Sequence, residues 1–321
     1  MKKCCIIYNE PSSNALEDEL DVIDQVNHVE KGLATIGINT YRKAITEKFM
    51  DEVKDIIREK PDFVFNLVES INNKGELNYF VPALLNLNGI PYAGASHEAL
   101  FLTTSKVIAS RMMKLAGIQT PEHFFPSEAH LLEKGTKYIL KPIWEDGSLG
   151  ITADSVFVWN NDSEAKLKGL SDSHWFIEKF IEGREFNMSI LAGANGPEVM
   201  PVAEIVFTGY NESRPRIVDY KAKWEENTFE FDNTLREFPQ EKLNPVLMKN
   251  LRQTALNCWK LFKLKGYARV DSRVDSANNI YVIEINANPC IMPNCGFVAS
   301  TETGGYKFPQ VMQRIINDLN F

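Results

Sequence analysis

Ala268-Arg269-Val270-Asp271 and Val282-Ile283-Glu284-Ile285-Asn286 are two short runs in which apolar and polar residues alternate. Side chains along a strand point to its two faces in turn, so Arg269 and Asp271 share a face, Glu284 and Asn286 share a face, and Val270, Ile283 and Ile285 turn the other way. Paired, the two strands gather two acids, an amide and an arginine at one spot. Oxygen donors of this kind suit magnesium, which takes one or two carboxylates and completes its octahedron with water and phosphate oxygens. The same alternation also describes the solvent face of an ordinary half-exposed hairpin, so the two strands alone leave both readings open.

Working outward, the chain of 321 residues is long enough for two or three domains. Near its start, the apolar run Cys4 to Tyr8 predicts a buried strand. Leu20, Ile23, Val26, Val29 and Leu33 then recur at helical spacing up to Gly37. A strand from Ile38 to Tyr41, a helix from Phe49 to Ile57, a strand from Asp62 to Val68 and a helix from Phe80 to Leu87 continue the alternation. That order predicts an α/β domain over residues 1–95, a parallel sheet covered by helices on both faces. Gly89-Ile90-Pro91-Tyr92-Ala93-Gly94 ends it, and a helix from Thr104 to Ala116 opens the next segment. Residues 96–182 read as a small α+β domain with strands at Tyr138 to Pro142, Ser155 to Trp159 and Trp175 to Phe180. Residues 183–321 read as a second one, mostly strands. Within it, residues 209–240 look like loop, a helix runs from Val246 to Leu264, and the strands Tyr267 to Val274 and Ile280 to Asn286 close the regular structure.

Two further stretches carry chemistry. Leu140-Lys141-Pro142 followed by Gly147-Ser148-Leu149-Gly150 sets a lysine at a strand end before a glycine-bearing loop, an arrangement able to turn an ammonium and backbone N–H groups on a polyphosphate. A surface hairpin has the same composition. Phe176-Ile177-Glu178-Lys179-Phe180-Ile181-Glu182-Gly183-Arg184-Glu185-Phe186 could offer backbone groups to an adenine edge and carboxylates to a ribose, and a charged edge strand has the same composition. The five histidines form no metal-ligand spacing, Cys290 and Cys295 lack partner histidines, and no serine nucleophile elbow is present.

The net charge of −8 argues against non-specific attraction to nucleic acid or to an anionic membrane, and 44% hydrophobic with 24% charged residues excludes global disorder. With no apolar run of about 20 residues, no secretory pattern after Met1 and five cysteines without paired spacing, the expectation is a protein of the reducing cytoplasm.

Taken in order, Lys106, Lys141-Pro142 with its glycine loop, Glu178-Lys179 with Glu185, Lys223, Arg269-Val270-Asp271 and Glu284-Ile285-Asn286-Ala287-Asn288-Pro289 resemble the ATP-grasp superfamily. Within it the chain is similar to the D-alanine:D-alanine ligases along nearly its whole length. The resemblance implies an N-terminal parallel-sheet domain and two α+β domains with ATP sandwiched between them. It also implies a carboxylate–amine ligase working through an acyl phosphate. In that reading Lys106 and Lys141, with Gly147 and Ser148 of the glycine loop, hold phosphates. Glu178, Lys179, Phe180 and Ile181 take the adenine and Glu185 the ribose. Asp271, Glu284 and Asn286 hold two magnesium ions, manganese being the alternative metal. Arg269, Lys223 and Ser148 form the catalytic group, with Arg269 at the reacting centre and Lys223 on a loop that closes over the phosphates. The partners implied are small amino-acid or carboxylate substrates, without nucleic acid or membrane, and a second copy in a homodimer.

Several positions depart from the family pattern: Trp224 stands where tyrosine is common, Gly147 where a serine is expected, Cys290 in place of a glycine and Cys295 near a serine that reads the second substrate. Glu19 is only an approximate match to a family glutamate. The ATP and metal residues are kept and the amino-acid residues are altered, which predicts a reshaped substrate pocket. The alternatives are a ligase for another amino acid or small carboxylate, and an ATP-binding regulator without turnover. The second has no use for an arginine at a reacting carbonyl. A Rossmann-type dehydrogenase lacks its G-x-G-x-x-G loop.

Overall fold

The structure, a computed structural model, describes residues 2–11, 17–240 and 242–319. In chain order the first elements are β1 (Lys3–Asn9), α1 (Glu17–Thr35), β2 (Asn39–Ile45), α2 (Phe49–Glu59), β3 (Phe63–Leu67), α3 (Phe80–Leu87) and β4 (Tyr92–Ala93). The four strands form one parallel sheet in the order β2-β1-β3-β4. The unbroken apolar run of β1 is explained by burial on both faces. Cys4 and Ile6 pack with Phe63, Phe65, Val26 and Leu33 on one side, whereas Cys5 and Ile7 pack with Val64, Val53, Ile56 and Leu85 on the other.

Next come α4 (His97–Thr104), α5 (Lys106–Leu115), β5 (His123–Phe124), β6 (Lys137–Pro142), β7 (Val156–Val158) and β8 (Trp175–Lys179). The sequence predicts a single helix from Thr104, but two helices meet at Ser105. Its backbone is extended, and its hydroxyl accepts the Ile108 amide at 3.3 Å as the cap of α5. Strands β5 to β8 make a second, antiparallel sheet in the order β5-β8-β6-β7.

The remainder comprises β9 (Arg184–Leu191), β10 (Glu198–Val199), β11 (Ala203–Phe207), α6 (Tyr220–Trp224), α7 (Phe229–Asn233), β12 (Thr234–Glu237), α8 (Pro245–Leu261), β13 (Tyr267–Val274), β14 (Ile280–Asn286), α9 (Gly296–Thr303) and α10 (Phe308–Asn317). Residues 209–240 are thus more regular than their polar, aromatic composition predicts, and two helices follow the strand that was expected to close the regular structure. The strands form a six-stranded antiparallel sheet, β12-β11-β9-β13-β14 with β10 on β9. One face is apolar: Met188, Ile190, Val270 and Ile285 pack against Leu100 of α4, Met113 of α5 and Leu251 and Ala255 of α8. The helices that follow Gly94 therefore cover the large sheet, while Val107 of α5 also packs against Phe176 of the small one.

A register shift between Asp271 and Ser272 corrects the alternation along β14. Asp271 pairs with Glu284 but Ser272 pairs with Val282, so Ile283 is the extra residue of a bulge. Val282 enters the core in its place, and Ile283 lines the cleft beside Glu284.

Between β8 and β9 the chain turns at Gly183, where φ is +145° and an added Cβ would lie 2.0 Å from the Val274 carbonyl oxygen. Alanine here meets both an unfavourable backbone region, which costs about 1–3 kcal/mol, and a backbone clash. Gly183→Ala is therefore expected to unfold at markedly lower urea than Gly37→Ala, whose φ of +79° is also left-handed but whose Cβ position is open. Equal losses in the two variants would show that the approach to Val274 is unimportant.

Candidate active site

The polar face of the six-stranded sheet, the inner side of β6 and β8 and the end of the N-terminal sheet enclose a cleft of 1470 Å³. Every site residue expected from the sequence lines it: Lys106, Lys141, Gly147, Ser148, Glu178, Lys179, Phe180, Ile181, Glu185, Lys223, Arg269, Asp271, Glu284 and Asn286.

Strand periodicity and the bulge set the floor. Arg269 grips Asp271 two residues on, with Nε donating to Oδ1 at 2.8 Å and Nη2 to Oδ2 at 2.7 Å. Asn187 and Asn286 donate to the same carboxylate at 2.8 and 3.1 Å. Asp271 is 5% exposed, so these donors replace the water it has lost. Beside it Glu284 accepts from Lys106 at 2.9 Å. Lys106 opens α5, and its own amide bonds to the Ile143 carbonyl at 3.1 Å, which ties the helix start to the end of β6. Its ammonium also meets Asp146 at 3.3 Å and donates to the Glu145 carbonyl. On the facing sheet, Lys141 of β6 pairs with Glu178 of the neighbouring β8. Glu185 pairs at 3.1 Å with Arg273, both nearly fully buried.

Burial and partners pull these groups in opposite directions. Burial pushes the Glu284 carboxyl up, but Lys106 and then Arg269 and Lys141 outweigh it and hold the group at about 2. For Glu178, burial wins over Lys141 and its carboxyl lies above the usual range. Burial likewise raises Glu185 against the pull of Arg273.

The glycine loop is closed from above by α6. Asp219 caps that short helix by accepting the Ala222 amide at 2.9 Å, which fixes where Lys223 and Trp224 emerge. The Trp224 indole N–H donates to the Gly147 carbonyl at 2.9 Å, and the Ser148 hydroxyl donates to the Val218 carbonyl at 2.7 Å. Lys223 rests over the Trp224 ring at 4.8 Å. Glycine at 147 suits its left-handed backbone (φ +69°), and a Cβ there would be in ordinary contact, 3.6 Å from the Lys223 ammonium. At the position where the family pattern commonly has tyrosine, the contact to the glycine loop is thus an indole-to-carbonyl bond.

Sequence reasoning missed Asp21, Glu69, Arg236 and Arg273, all of which line or border the cleft. Glu69 follows the carboxyl end of β3, where open α/β sheets place ligands, and that rule could have found it. Glu69 is itself exposed, with the like charge of Asp21 near it. Glu19 belongs to α1, but its side chain lies outside the described residues. At the far wall Cys290 and Cys295 bring their sulfurs to 2.7 Å.

With this geometry in place, the comparison with known proteins is direct. Residues 129–317 match the family described as D-ala D-ala ligase C-terminus. The chain belongs to that family. It is 28% identical over 293 residues to the D-alanine--D-alanine ligase of Aquifex aeolicus, covering 90% of this chain and 92% of the relative. The fold is shared with the ATP complex of the D-alanine--D-alanine ligase of Bacillus anthracis (TM-score 0.75, 20% identity, 99% of this chain and 97% of that one). It is also shared with the VanG D-Ala:D-Ser ligase of Enterococcus faecalis (TM-score 0.73, 19% identity, 98% of each chain). The ATP-grasp fold expected from the sequence is thereby established. No helix among the described residues is long and apolar enough to cross a membrane.

Among the described residues no three His, Cys, Asp or Glu side chains gather into a metal cage. The two carboxylates Asp271 and Glu284 and the amide of Asn286 would suit a magnesium ion that takes the rest of its shell from phosphate and water.

The depressed Glu284 carboxyl makes a pH signature. Its folded value lies below its ordinary 4.5, so the stability it contributes is complete above 4.5 and is lost as pH falls toward 2. Urea unfolding of wild type and Glu284→Gln across this range should show a gap that is constant at higher pH and closes on acidification. A gap independent of pH would mean that Lys106 and its neighbours do not hold the carboxylate charged.

Proposed function

We propose that the chain joins a carboxylate to an amine at the expense of ATP, through an acyl phosphate, with an amino-acid pocket reshaped relative to the D-alanine:D-alanine ligases. Family membership carries the coarse statement, an ATP-dependent ligase of the D-alanine--D-alanine ligase kind. The finer reading rests on one observation: Arg269 spends Nε and Nη2 on Asp271 and turns Nη1 toward Gly296, where a Cβ would lie 3.5 Å away. A guanidinium held this way is a preorganised donor for negative charge developing at a carbonyl oxygen.

When bound, ATP and magnesium supply the phosphoryl group and neutralise its charge. Asp271, Glu284 and Asn286 would hold the metal. Lys106 and Lys141, already side by side with Glu284 and Glu178, would exchange those acids for phosphate oxygens. Phe180, Ile181 and Ile283 would flank the base and Glu185 the ribose, while Lys223 and Trp224 cover the glycine loop and keep water from the activated carboxylate. The amine would first form its C–N bond at the acyl carbon, and the C–O bond to phosphate would break as the tetrahedral species collapses. Arg269 would carry the oxyanion between these events, and ADP, phosphate and a proton leave with the amide. In this reading residues 1–95, 96–182 and 183–321 are the three domains, and the substrates are small amino acids or carboxylates.

The test is an ADP-release screen with magnesium over D- and L-amino acids and small carboxylates. Ligation product with at least one pair is expected, with D-alanine dimerisation slow or absent. ATP binding without ADP release for any pair would favour a regulator instead. Arg269→Lys keeps the charge but loses the planar fork. It is expected to bind ATP normally while ligating about 10²–10³-fold more slowly, as after loss of one preorganised donor. An equal loss of ATP affinity would make Arg269 a nucleotide ligand.

A further inference from the structure

Of the five cysteines, Cys4, Cys5 and Cys258 are fully buried in apolar cores, and burial pushes each of their thiols up, Cys5 to about 11 and Cys258 to about 12. Cys290 and Cys295 are different. Both are free, half-buried thiols on the wall of the cleft, and their sulfurs lie 2.7 Å apart. The backbone fixes this contact. Ile291 and Phe297, each beside or near one of the cysteines, are fully buried in the core beneath, and the Ile291 amide donates to the Gln25 side chain at 3.2 Å. The Cys295 amide closes a turn onto the Met292 carbonyl at 3.2 Å, and the exposed Arg236 of β12 steadies that turn through its Nη1, which donates to the Asn294 carbonyl at 2.7 Å. Two sulfurs are thus presented to each other from a turn that is anchored at both ends. The pair is also asymmetric. The hydrogen bond between the sulfurs, with Cys290 as donor, raises the Cys290 thiol and lowers that of Cys295. Burial opposes charge on both, Lys223 and Arg269 favour it on Cys295, and Asp21, whose carboxylate lies 3.8 Å from the Cys290 sulfur, disfavours it. Cys295 also stands at the start of α9, a place that favours a thiolate.

We propose that Cys290 and Cys295 form a redox-active dithiol that a hydroperoxide converts to a disulfide, which sets an oxidant-sensitive modification site in the wall of the cleft. Cys295 attacks as the thiolate: its sulfur bonds to one peroxide oxygen, the O–O bond breaks, and the other oxygen leaves as hydroxide. The product is a sulfenic acid. The Cys290 sulfur then displaces that oxygen, so that the S–S bond forms, the S–O bond breaks and the Cys290 proton departs in a water molecule. The hydroxide takes up the proton that Cys295 had released, and one hydrogen peroxide yields two waters. The two sulfurs together lose the two electrons that the peroxide gains. A small dithiol reverses the bond by thiol–disulfide exchange. The bond would draw the start of α9 toward Cys290, and Gly296, next in the chain, abuts Arg269, whose Nη1 lies 3.5 Å from the position of a Cβ there. In the ligase reading above, on which this consequence rests, Arg269 acts at the reacting carbonyl, and a displacement of about 1 Å can cost about 10²-fold in rate. Lys106, Lys141 and Glu178 stand on α5, β6 and β8, outside the segment that the bond joins.

The test treats the reduced native protein with hydrogen peroxide, removes the oxidant and maps the cysteines by mass spectrometry under non-reducing conditions. The peptide spanning Cys290 and Cys295 is expected to become lighter by two hydrogens, about 10-fold or more faster than Cys4, Cys5 or Cys258 change, and to regain them with dithiothreitol. Cys290→Ser should instead leave a sulfenic acid at Cys295 that a cyclic 1,3-diketone traps. Cys295→Ser should leave Cys290 unreacted at the same dose. Affinity for a non-hydrolysable ATP analogue with magnesium reports that each variant and the oxidised wild type are folded. Where the screen finds a productive pair, oxidised wild type should ligate about 10-fold or more slowly than reduced and recover with dithiothreitol. Cys295→Ser, whatever its own rate, should lose none of it to peroxide. Absence of the disulfide in wild type, oxidation of the buried thiols at the same rate, a sulfenic acid trapped at Cys290 in Cys295→Ser, or an oxidised wild type that ligates at the reduced rate would each overturn the assignment. A chain that forms the disulfide yet, when reduced, releases no ADP with any pair would instead retain the dithiol site and sink the ligase reading.

Discussion

Charge burial governs this molecule. The cleft takes Asp271, Glu284, Glu178 and Glu185 out of bulk water, and each is matched by one cation: Arg269, Lys106, Lys141 and Arg273. Removing ions from water costs several kcal/mol apiece unless good geometry returns it, so these side chains cannot be independent of one another. The pairing also explains how one surface could receive both a polyanion and a divalent cation. In the proposed reading Lys106 and Lys141, which hold acids at rest, would turn to phosphates, and Glu284, released by Lys106, would turn to a metal. Exchange of partners is far cheaper than creation of new buried charge.

The residues of this exchange were legible in the sequence because each sits on a regular strand or at a helix start. Alternation along β13 put Arg269 and Asp271 on one face, and Lys141 and Glu178 meet because β6 and β8 are neighbours in one sheet. Local periodicity failed where the backbone departs from it by one residue. The bulge at Asp271/Ser272 sends Ile283 to the cleft and Val282 to the core, a reversal that no alternation rule anticipates. Arg236 was illegible for a different reason. Its strand is short, its neighbours are polar and aromatic, and its significance depends on Asn294 and Gly296, nearly sixty residues away. Asp21 and Glu69 likewise acquire meaning only when α1 and the end of β3 are brought to the same wall.

The family departures have a physical counterpart at one side of the cleft. An indole can donate but not accept, so Trp224 closes onto the Gly147 carbonyl and not into a hydroxyl relay, while Ser148 is spent on Val218. Facing them, Cys290 and Cys295 bring two weakly polar thiols together, the first where the family pattern has a glycine and the second near its serine.

Val311, Met312, Ile315 and Ile316 of α10 lie in the same core as Cys4 and Ile6 of β1 and Val26 and Leu33 of α1. During synthesis the ribosome presents the first strand roughly three hundred residues before the helix that seals it, at about 5–20 residues per second. For many seconds the face of the nascent N-terminal sheet that α1 covers lacks the α10 side chains that complete its core. Its long-range closure makes the last helix a checkpoint on the first domain, and a nascent chain stalled before α10 is the form of this protein most in need of a chaperone.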